Sequence, residues 1–324
     1  MRRFVDFTRV FGLEGGSAVT IGNFDGVHLG HRALIHRVRT YAAAQTLVPT
    51  VLTFDPHPVR VLAPTLAPLA IASLPEKLRL LEAAGIEAVL VQAFDRAFAS
   101  LSPEIFIERV LVGALHARVV VVGYDFTFGA KRAGTTDVLR AAGARHGFAV
   151  EVVAAQTVGP GLVASSTKVR EFVLEGRMDG AELLLGRPFS LVGRVIEGAK
   201  RGRLLGFPTA NLAVENELLP RTGVYAGWLD AGAGPLAAVI NVGHNPTFQE
   251  AAGRPGVEVH VIGAVGLDLY GRRCRLHLVE RLREERRFEG VEGLVAQIGR
   301  DRDAAAACLA ARSAPAVEPL PADA

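Results

Sequence analysis

The spacing of apolar residues changes once along the chain, and that change sets what the chain can fold into. Up to about residue 186, β-like runs alternate with helix-like ones. "SAVTIGNF" reads as a strand and is followed by an amphipathic helix from Leu29 to about Ala44; "VPTVLTF" is a second strand. A helix over "PEKLRLLEAAG" carries Pro75 near its first turn and Gly85 at its end, as helix caps require. Strand "EAVLVQ", helix "SPEIFIERVLVGAL" and strand "ARVVVVG" come next. Then follow a helix near 134–146, strand "FAVEVV" and helices from about Lys168 to Leu185. "ARVVVVG" is apolar without alternation, the pattern of a strand buried on both faces of a parallel sheet. This rhythm predicts a Rossmann-like, doubly wound α/β domain over residues 1–185, with its ligand site at the carboxyl ends of the strands.

Gly186 and Pro188 stop the last of these helices, and short alternating runs take over. "FSLVGRVIEG", "FPTANLAV", "GVYAGWLD", "LAAVINVG", "VEVHVIG" and "CRLHLVERL" are separated by turn residues. Six such strands without helices predict a small antiparallel β-barrel over 186–312, closed by a charged, helix-prone stretch from about Gly290. Residues 313–324, rich in alanine and proline, are expected to be a disordered tail. No internal repeat relates the halves, so two sites here would be unrelated in design.

Composition narrows the function classes. Half the residues are apolar, 21% are charged, and no run approaches the roughly 18 apolar residues of a membrane span. Asp6, Arg9 and Glu14 interrupt any signal-peptide core, and two cysteines, Cys274 and Cys308, provide no disulfide framework or metal spacing. A cytoplasmic protein with reduced thiols is expected, without a membrane or nucleic-acid partner. The net charge of +3 is small and its arginines are spread along the chain, which suits anionic small substrates rather than nucleic acid.

The first motif is "GNFDGVHLGH", residues 22–31, at a strand-to-helix turn. Neither G-x-G-x-x-G nor G-x-x-x-x-G-K-[ST] occurs, so the common phosphate loops are absent. Such a turn still offers free backbone N–H groups and the positive end of a helix dipole, and both favour phosphate. His28 and His31 lie one turn apart and can face one anion, with Gly30 allowing close approach to the backbone. The zinc-protease pattern needs histidines four apart with a glutamate, and neither is present. Downstream, "ASSTKVREF" sets Ser165, Ser166 and Thr167 at a helix start, with Lys168 and Arg170 within a turn, a second place to hold phosphate.

The first half resembles the nucleotidyltransferase module of the bacterial bifunctional riboflavin kinase/FAD synthetases. Four segments match in order: "IGNFDGVHLGHR", "LTFDPHP" (52–58), "VGYDFTFGAKRAGT" (122–135) and "SSTKVR" (165–170). The resemblance implies that His28 and His31 steady the phosphates of ATP during catalysis, with Ser166 and Arg170 completing the grip. Gly22, Phe24 and Ser165 belong to the same ATP-binding set. Asn23, Asp25, Asp125 and Phe128 would shape the flavin pocket. Tyr124, where the family often has an acidic residue, and Ala164, in place of a larger aliphatic, depart from the pattern.

The second motif is "GAKRGRLLGFPTANL". Gly198, Gly202 and Gly206 make a flap able to lie over phosphates, and Lys200, Arg201 and Arg203 make it basic. Thr209 and Asn211 offer neutral oxygens, which suffice for Mg²⁺ because that ion takes few protein ligands. Transfer of phosphate to a hydroxyl also needs a base, for which Glu215, Glu217 and Glu258 are candidates. Glu258 stands out as a carboxylate on the mostly apolar strand "GVEVHVIG".

This half is similar to the riboflavin kinase module of the same family from about Gly186 to Ala310. It matches in "GFPTAN", "GVYAG", "NVGHNPTF", "VEVH", "LDLYG" and "LREERRF". The resemblance implies that Thr209 and Asn211 bind Mg²⁺ and ATP phosphates, with Gly202 and Gly206 over them. Glu258 becomes the base for the ribityl hydroxyl, and Arg283, Glu285 and Phe288 flank the flavin. The stretch "VIGAVGL" (261–267) departs from the family's more acidic spacer. The expected reactions are riboflavin to FMN and FMN to FAD, with ATP as co-substrate. An adenylyltransferase for another phosphate, and a flavin- or nucleic-acid-binding regulator, are the rival readings.

Overall fold

A computed structural model describes residues 1–159, 161–198, 206–244, 254–264 and 267–320. The chain divides into two compact units, Met1–Leu69 with Leu74–Ala164, and Ala70–Ser73 with Ser165–Ala324.

The first unit is built on a parallel sheet. Its strands are β1 (Arg2–Phe4), β2 (Ser17–Ile21), β3 (Val48–Asp55), β4 (Ala88–Ala93), β5 (Ala117–Gly123) and β6 (Ala149–Val153), in the order β1-β4-β3-β2-β5-β6. Alternate residues of β5 explain its unbroken apolar run. Val119 and Val121 pack with Ile35 and Val38 of helix α1 (Leu29–Gln45) and with Leu78 and Leu81 of the helix Leu74–Ala83. Val120 and Val122 face the opposite way, onto Phe106, Val110 and Leu139. The sheet is therefore doubly wound, as predicted. Its order reverses between β2 and β5, which places a crevice at their carboxyl ends. The predicted helix over 102–115 forms as Pro103–Phe106 followed by a π-helical stretch, Ile107–Ala114. Edge strand β1 and a hairpin of β7 (Thr157–Val158) and β8 (Leu162–Val163) carry too few residues for a periodic signal.

The second unit contains the predicted closed six-stranded barrel. Its strands β9 (Phe189–Ile196), β10 (Ala210–Val214), β11 (Gly223–Asp230), β12 (Pro235–Gly243), β13 (Gly256–Val261) and β14 (Arg273–Arg283) follow the order β10-β13-β12-β11-β14-β9, all antiparallel. β10 starts at Ala210, three residues after the expected Phe207, since Pro208 has no N–H to give to a ladder. The helix Val291–Ala310 covers one side, burying Ala305 and Leu309 against Val224, Ala226 and Val239.

Helices Ser166–Glu175 and Met178–Leu185 belong to this second unit, so the division falls at Ala164/Ser165, ahead of the Gly186 suggested by the pattern. The pattern marks where helices stop, whereas Met178, Ala181, Leu184 and Leu185 are buried in the barrel's unit. The tail is held at least through Pro319. Fully buried Arg275 donates to the carbonyl oxygens of Glu318 and Pro319, at 3.3 and 3.2 Å. That cationic anchor lies far from the tail in sequence, out of reach of local composition.

Candidate active sites

In the first unit, the turn from Gly22 to His28 leaves the carboxyl end of β2, beside the point where the strand order reverses. Phe24, Gly26 and Val27 all have left-handed backbones, with φ of 48°, 76° and 41°. That is costly for a phenylalanine and more so for a β-branched valine, so the surroundings must impose it. Phe24 is fully buried. Gly22 N donates to Leu52 O at 3.1 Å, and the Thr53 hydroxyl donates to Asn23 O at 3.1 Å.

His28 caps helix α1. Its Nδ1 accepts from the backbone N–H of Gly30 at 3.1 Å and of His31 at 3.4 Å. An accepting Nδ1 leaves Nε2 as the proton-bearing nitrogen, a donor for an anion. The His31 ring stacks on that of His28, centroids 3.7 Å apart, and lies 4.9 Å from Phe24. Burial, and then the nearby His28 and Lys77, hold the His31 imidazolium pKa well below 6.5, while its Nδ1 is buried without a hydrogen-bond partner. His31 is thus neutral at physiological pH and can offer an anion a hydrogen bond but not a charge. Gly30 also has a use within the fold. A Cβ there would lie 3.0 Å from the Ala164 carbonyl and from the His28 ring, so its bareness makes room for the protein itself.

The depressed pKa has a stability consequence with a definite sign. Unfolded His31 takes a proton near pH 6.5, folded His31 does so only well below that, and acid therefore favours unfolding. Stability is fully present above pH 6.5 and is lost as pH falls below it. Thermal unfolding of the full chain should fall in temperature from about pH 7 to about pH 5.5, with a shallower slope in His31→Phe. Equal slopes would contradict this role for His31.

Lys77, which the sequence reading missed, sits under the same turn. It is 9% exposed, and its ammonium donates to Asn23 O (3.3 Å), Thr53 Oγ1 (3.3 Å) and Phe54 O (3.4 Å). Burial lowers its pKa, while Asp25 and Asp55 act against that lowering. Asp25, expected in the flavin pocket, is buried and serves as a counter-charge to this lysine. The signal in the sequence was its place on the apolar stripe of its helix, beside Leu78 and between Leu74 and Leu81.

At the ends of β3, β4 and β5, aromatic rings form a continuous wall. Phe54 lies 5.5 Å from Phe94 and 6.0 Å from Phe98; Phe98 meets Phe106 at 6.2 Å, Phe106 meets Phe128 at 5.4 Å, and Phe128 stacks on Phe126 at 5.5 Å. Phe128 itself is buried, with Gly134 so close that a Cβ would stand 2.7 Å from its ring. The half-buried rings are Phe54, Phe94, Phe98 and Phe126, and Asp125 is exposed beside them in sequence. Sequence reading found only Phe128, because the others are scattered over three loops. In the second unit, Ser165 caps the helix Ser166–Glu175 by accepting from Lys168 N at 3.3 Å, which occupies its hydroxyl. Ser166 and Arg170 lie in the first turn and a half of that helix. Lys168 is paired with Glu171 at 2.6 Å.

On the barrel, Glu258 of β13 lies directly across from Asn211 of β10 on one side and from Asn241 of β12 on the other. Facing residues on neighbouring strands share a face, so the register forms a polar row across three strands. Asn211 is buried and its Oδ1 has no hydrogen-bond partner. Gly198 backs it closely enough that a Cβ would overlap the Asn211 amide, at 1.9 Å. His260, two residues beyond Glu258, makes a 2.9 Å hydrogen bond to Pro208 O and stands 5.5 Å from Phe207, which fixes the approach to Thr209. The other candidate bases are engaged elsewhere: Glu215 with Arg273 at 2.5 Å, and Glu217 with Ala70 N at 2.9 Å. Gly206 keeps a left-handed φ of 83°, whereas Gly202 lies outside the described residues.

Of the expected flavin-flanking residues, Glu285 reaches the end of β12, where a Cβ on Gly243 would overlap its carboxylate. Phe288 lies under the Arg286 guanidinium at 5.3 Å. Arg283 is committed to the fold, donating to both carboxylate oxygens of buried Asp301 at 2.8 and 2.6 Å. Its partner lies 18 residues on, beyond the reach of a motif.

Comparison with known proteins matches each unit. A family model described as FAD synthetase matches residues 12–167, and one described as riboflavin kinase matches residues 185–309. A bifunctional riboflavin kinase/FMN adenylyltransferase of Escherichia coli strain K12 is 42% identical over 290 residues, covering 89% of this chain and 91% of that one. A Pseudomonas fluorescens protein of the same description is 42% identical over 300 residues, covering 92% and 94%. A solved structure described as a macrolide-efflux protein from Streptococcus pneumoniae superposes with a TM-score of 0.83 at 28% identity, covering 94% of this chain and 98% of that one. No helix among the described residues here is long and apolar enough to cross a membrane. Two matched family models and relatives covered over nine-tenths of their length lead to one assignment: the chain belongs to the bifunctional riboflavin kinase/FMN adenylyltransferase family.

Proposed function

We propose that this chain carries out both reactions of its family. Riboflavin and ATP give FMN and ADP on the barrel; FMN and ATP give FAD and pyrophosphate in the α/β unit. The observation that carries this reading is that each matched unit has its own polar constellation, of the kind its reaction needs.

On the barrel, the ribityl hydroxyl attacks the γ-phosphorus of ATP and must lose its proton. Glu258 is the base, held in line between Asn211 and Asn241. Thr209 and Asn211 suit Mg²⁺, and the unpartnered, buried Asn211 Oδ1 fits an oxygen-seeking cation. When bound, that ion neutralises phosphate charge; Thr209 and Asn211 supply its oxygens. Glu285 and Phe288 border the flavin.

In the α/β unit, a phosphate oxygen of FMN attacks the α-phosphorus and pyrophosphate leaves. The nucleophile is already ionised, so alignment and charge stabilisation replace a base. His28 Nε2 and the His31 ring supply donors to the phosphates, and the positive end of the α1 dipole favours their charge. The wall of half-buried phenylalanines, Phe54, Phe94, Phe98 and Phe126, suits a flat isoalloxazine ring. The free thiols Cys274 and Cys308 fit a reducing compartment, and the cytoplasm is the place we assign.

Incubation with riboflavin, ATP and Mg²⁺, followed by separation of products, should show FMN rising first and FAD following. Absence of both would overturn the reading, and FMN without FAD would confine it to the barrel.

A further inference from the structure

The phosphate-binding turn holds a conformation that its own sequence disfavours. Phe24 and Val27, neither of them glycine, occupy the left-handed region. Beneath the turn lies a lysine almost out of contact with water. Its ammonium donates to Asn23 O from the turn and to Thr53 Oγ1 and Phe54 O from β3, with the Asp25 and Asp55 carboxylates as counter-charges. The Asn23 carbonyl is thereby bonded twice, by Lys77 and by the Thr53 hydroxyl. A buried ammonium is expensive, and a methionine would fill the same apolar stripe at less cost. The charge is balanced by Asp25 and Asp55 and is directed through hydrogen bonds to the turn and to β3, which an apolar side chain cannot do.

We propose that Lys77 is a positioning residue for adenylyl transfer: it ties the carbonyl of Asn23 to the end of β3 and so holds the Gly22–His28 turn in its strained form. The tie is a charge-assisted one, and it acts at the residue preceding the first left-handed position. Without Lys77 only the neutral Thr53 hydroxyl still holds the Asn23 carbonyl, so the turn is less firmly fixed, relaxes toward ordinary backbone and moves the cap at His28 with it. Lys77 touches no substrate in this account; it acts through Asn23. The proposal rests on the assignment of the turn to ATP phosphates.

The test uses the full chain with Lys77→Met and Lys77→Arg, both half-reactions being measured. In Lys77→Met, kcat for FAD formation from supplied FMN should fall on the order of 100-fold, the cost of about an ångström of misalignment. Riboflavin phosphorylation by the same preparation should be unchanged. Lys77→Arg keeps the charge and the donors and should recover most of the lost kcat. Packing alone makes the opposite prediction, since methionine should then outperform arginine. FAD formation in Lys77→Met at the wild-type rate, or methionine outperforming arginine, overturns the proposal. Where Lys77→Met fails to fold, as circular dichroism will show, the arginine variant decides: loss of FAD formation in a folded Lys77→Arg overturns it. Failure here leaves the histidine assignment standing, because that assignment is tested by its own double variant.

Discussion

Replacing His28 and His31 together by alanine should lower FAD formation from FMN on the order of 1,000-fold, the scale of losing a preorganised donor pair at developing charge. Two local effects combine in that loss. Without His28, the N–H groups of Gly30 and His31 lose the acceptor that orients them, and the ligand loses the Nε2 donor. Without His31, the stacked partner that fixes the His28 ring disappears. FMN formation from riboflavin should continue, because its residues belong to the other unit. The measurement is initial rates of both half-reactions on one preparation. FAD formation undiminished in the double variant would remove the phosphate grip from these histidines.

The second large effect belongs to Glu258. Glu258→Gln keeps the volume and removes the base, so FMN formation should fall by about 100- to 10,000-fold, the range attributed to general-base catalysis. FAD formation from supplied FMN should be unaffected. Since glutamine matches glutamate in shape and volume at this half-buried strand position, stability should change little, and a parallel melting curve separates lost chemistry from lost folding. Retained phosphorylation in a folded variant would take the base role away from Glu258. Glu215 and Glu217 are poor substitutes, each already engaged by Arg273 or by a backbone N–H.

Much of the architecture was legible because it rests on periodicity. The unbroken run of β5 marked a strand buried on both faces, and the alternation from Phe189 onward marked the barrel. A ligand site at the carboxyl ends of the strands was expected from the βαβ rhythm, whereas the reversal between β2 and β5 is visible only in the strand order. Features that depend on distant partners were not legible. Lys77 reads as an ordinary charged residue on a helix until Asn23 and Thr53 are folded against it. The pairing of Arg283 Nε and Nη2 with Asp301 is likewise invisible until the two are folded together. The phenylalanine wall draws on the end of β3 and on the segments after β4 and β5, whose rings are too far apart in sequence to form a motif. The histidine pair lies between these cases. Its spacing suggested phosphate, but only burial shows that His31 acts as a neutral group.

The central claim is that one chain houses two chemically distinct sites, each made from its own residues. It is tested most directly by giving riboflavin, ATP and Mg²⁺ to Glu258→Gln alone, to the His28→Ala/His31→Ala variant alone, and to a mixture of the two. The account predicts almost no product from the first, FMN without FAD from the second, and FAD from the mixture as FMN passes between proteins. Loss of both half-reactions in either variant would contradict it.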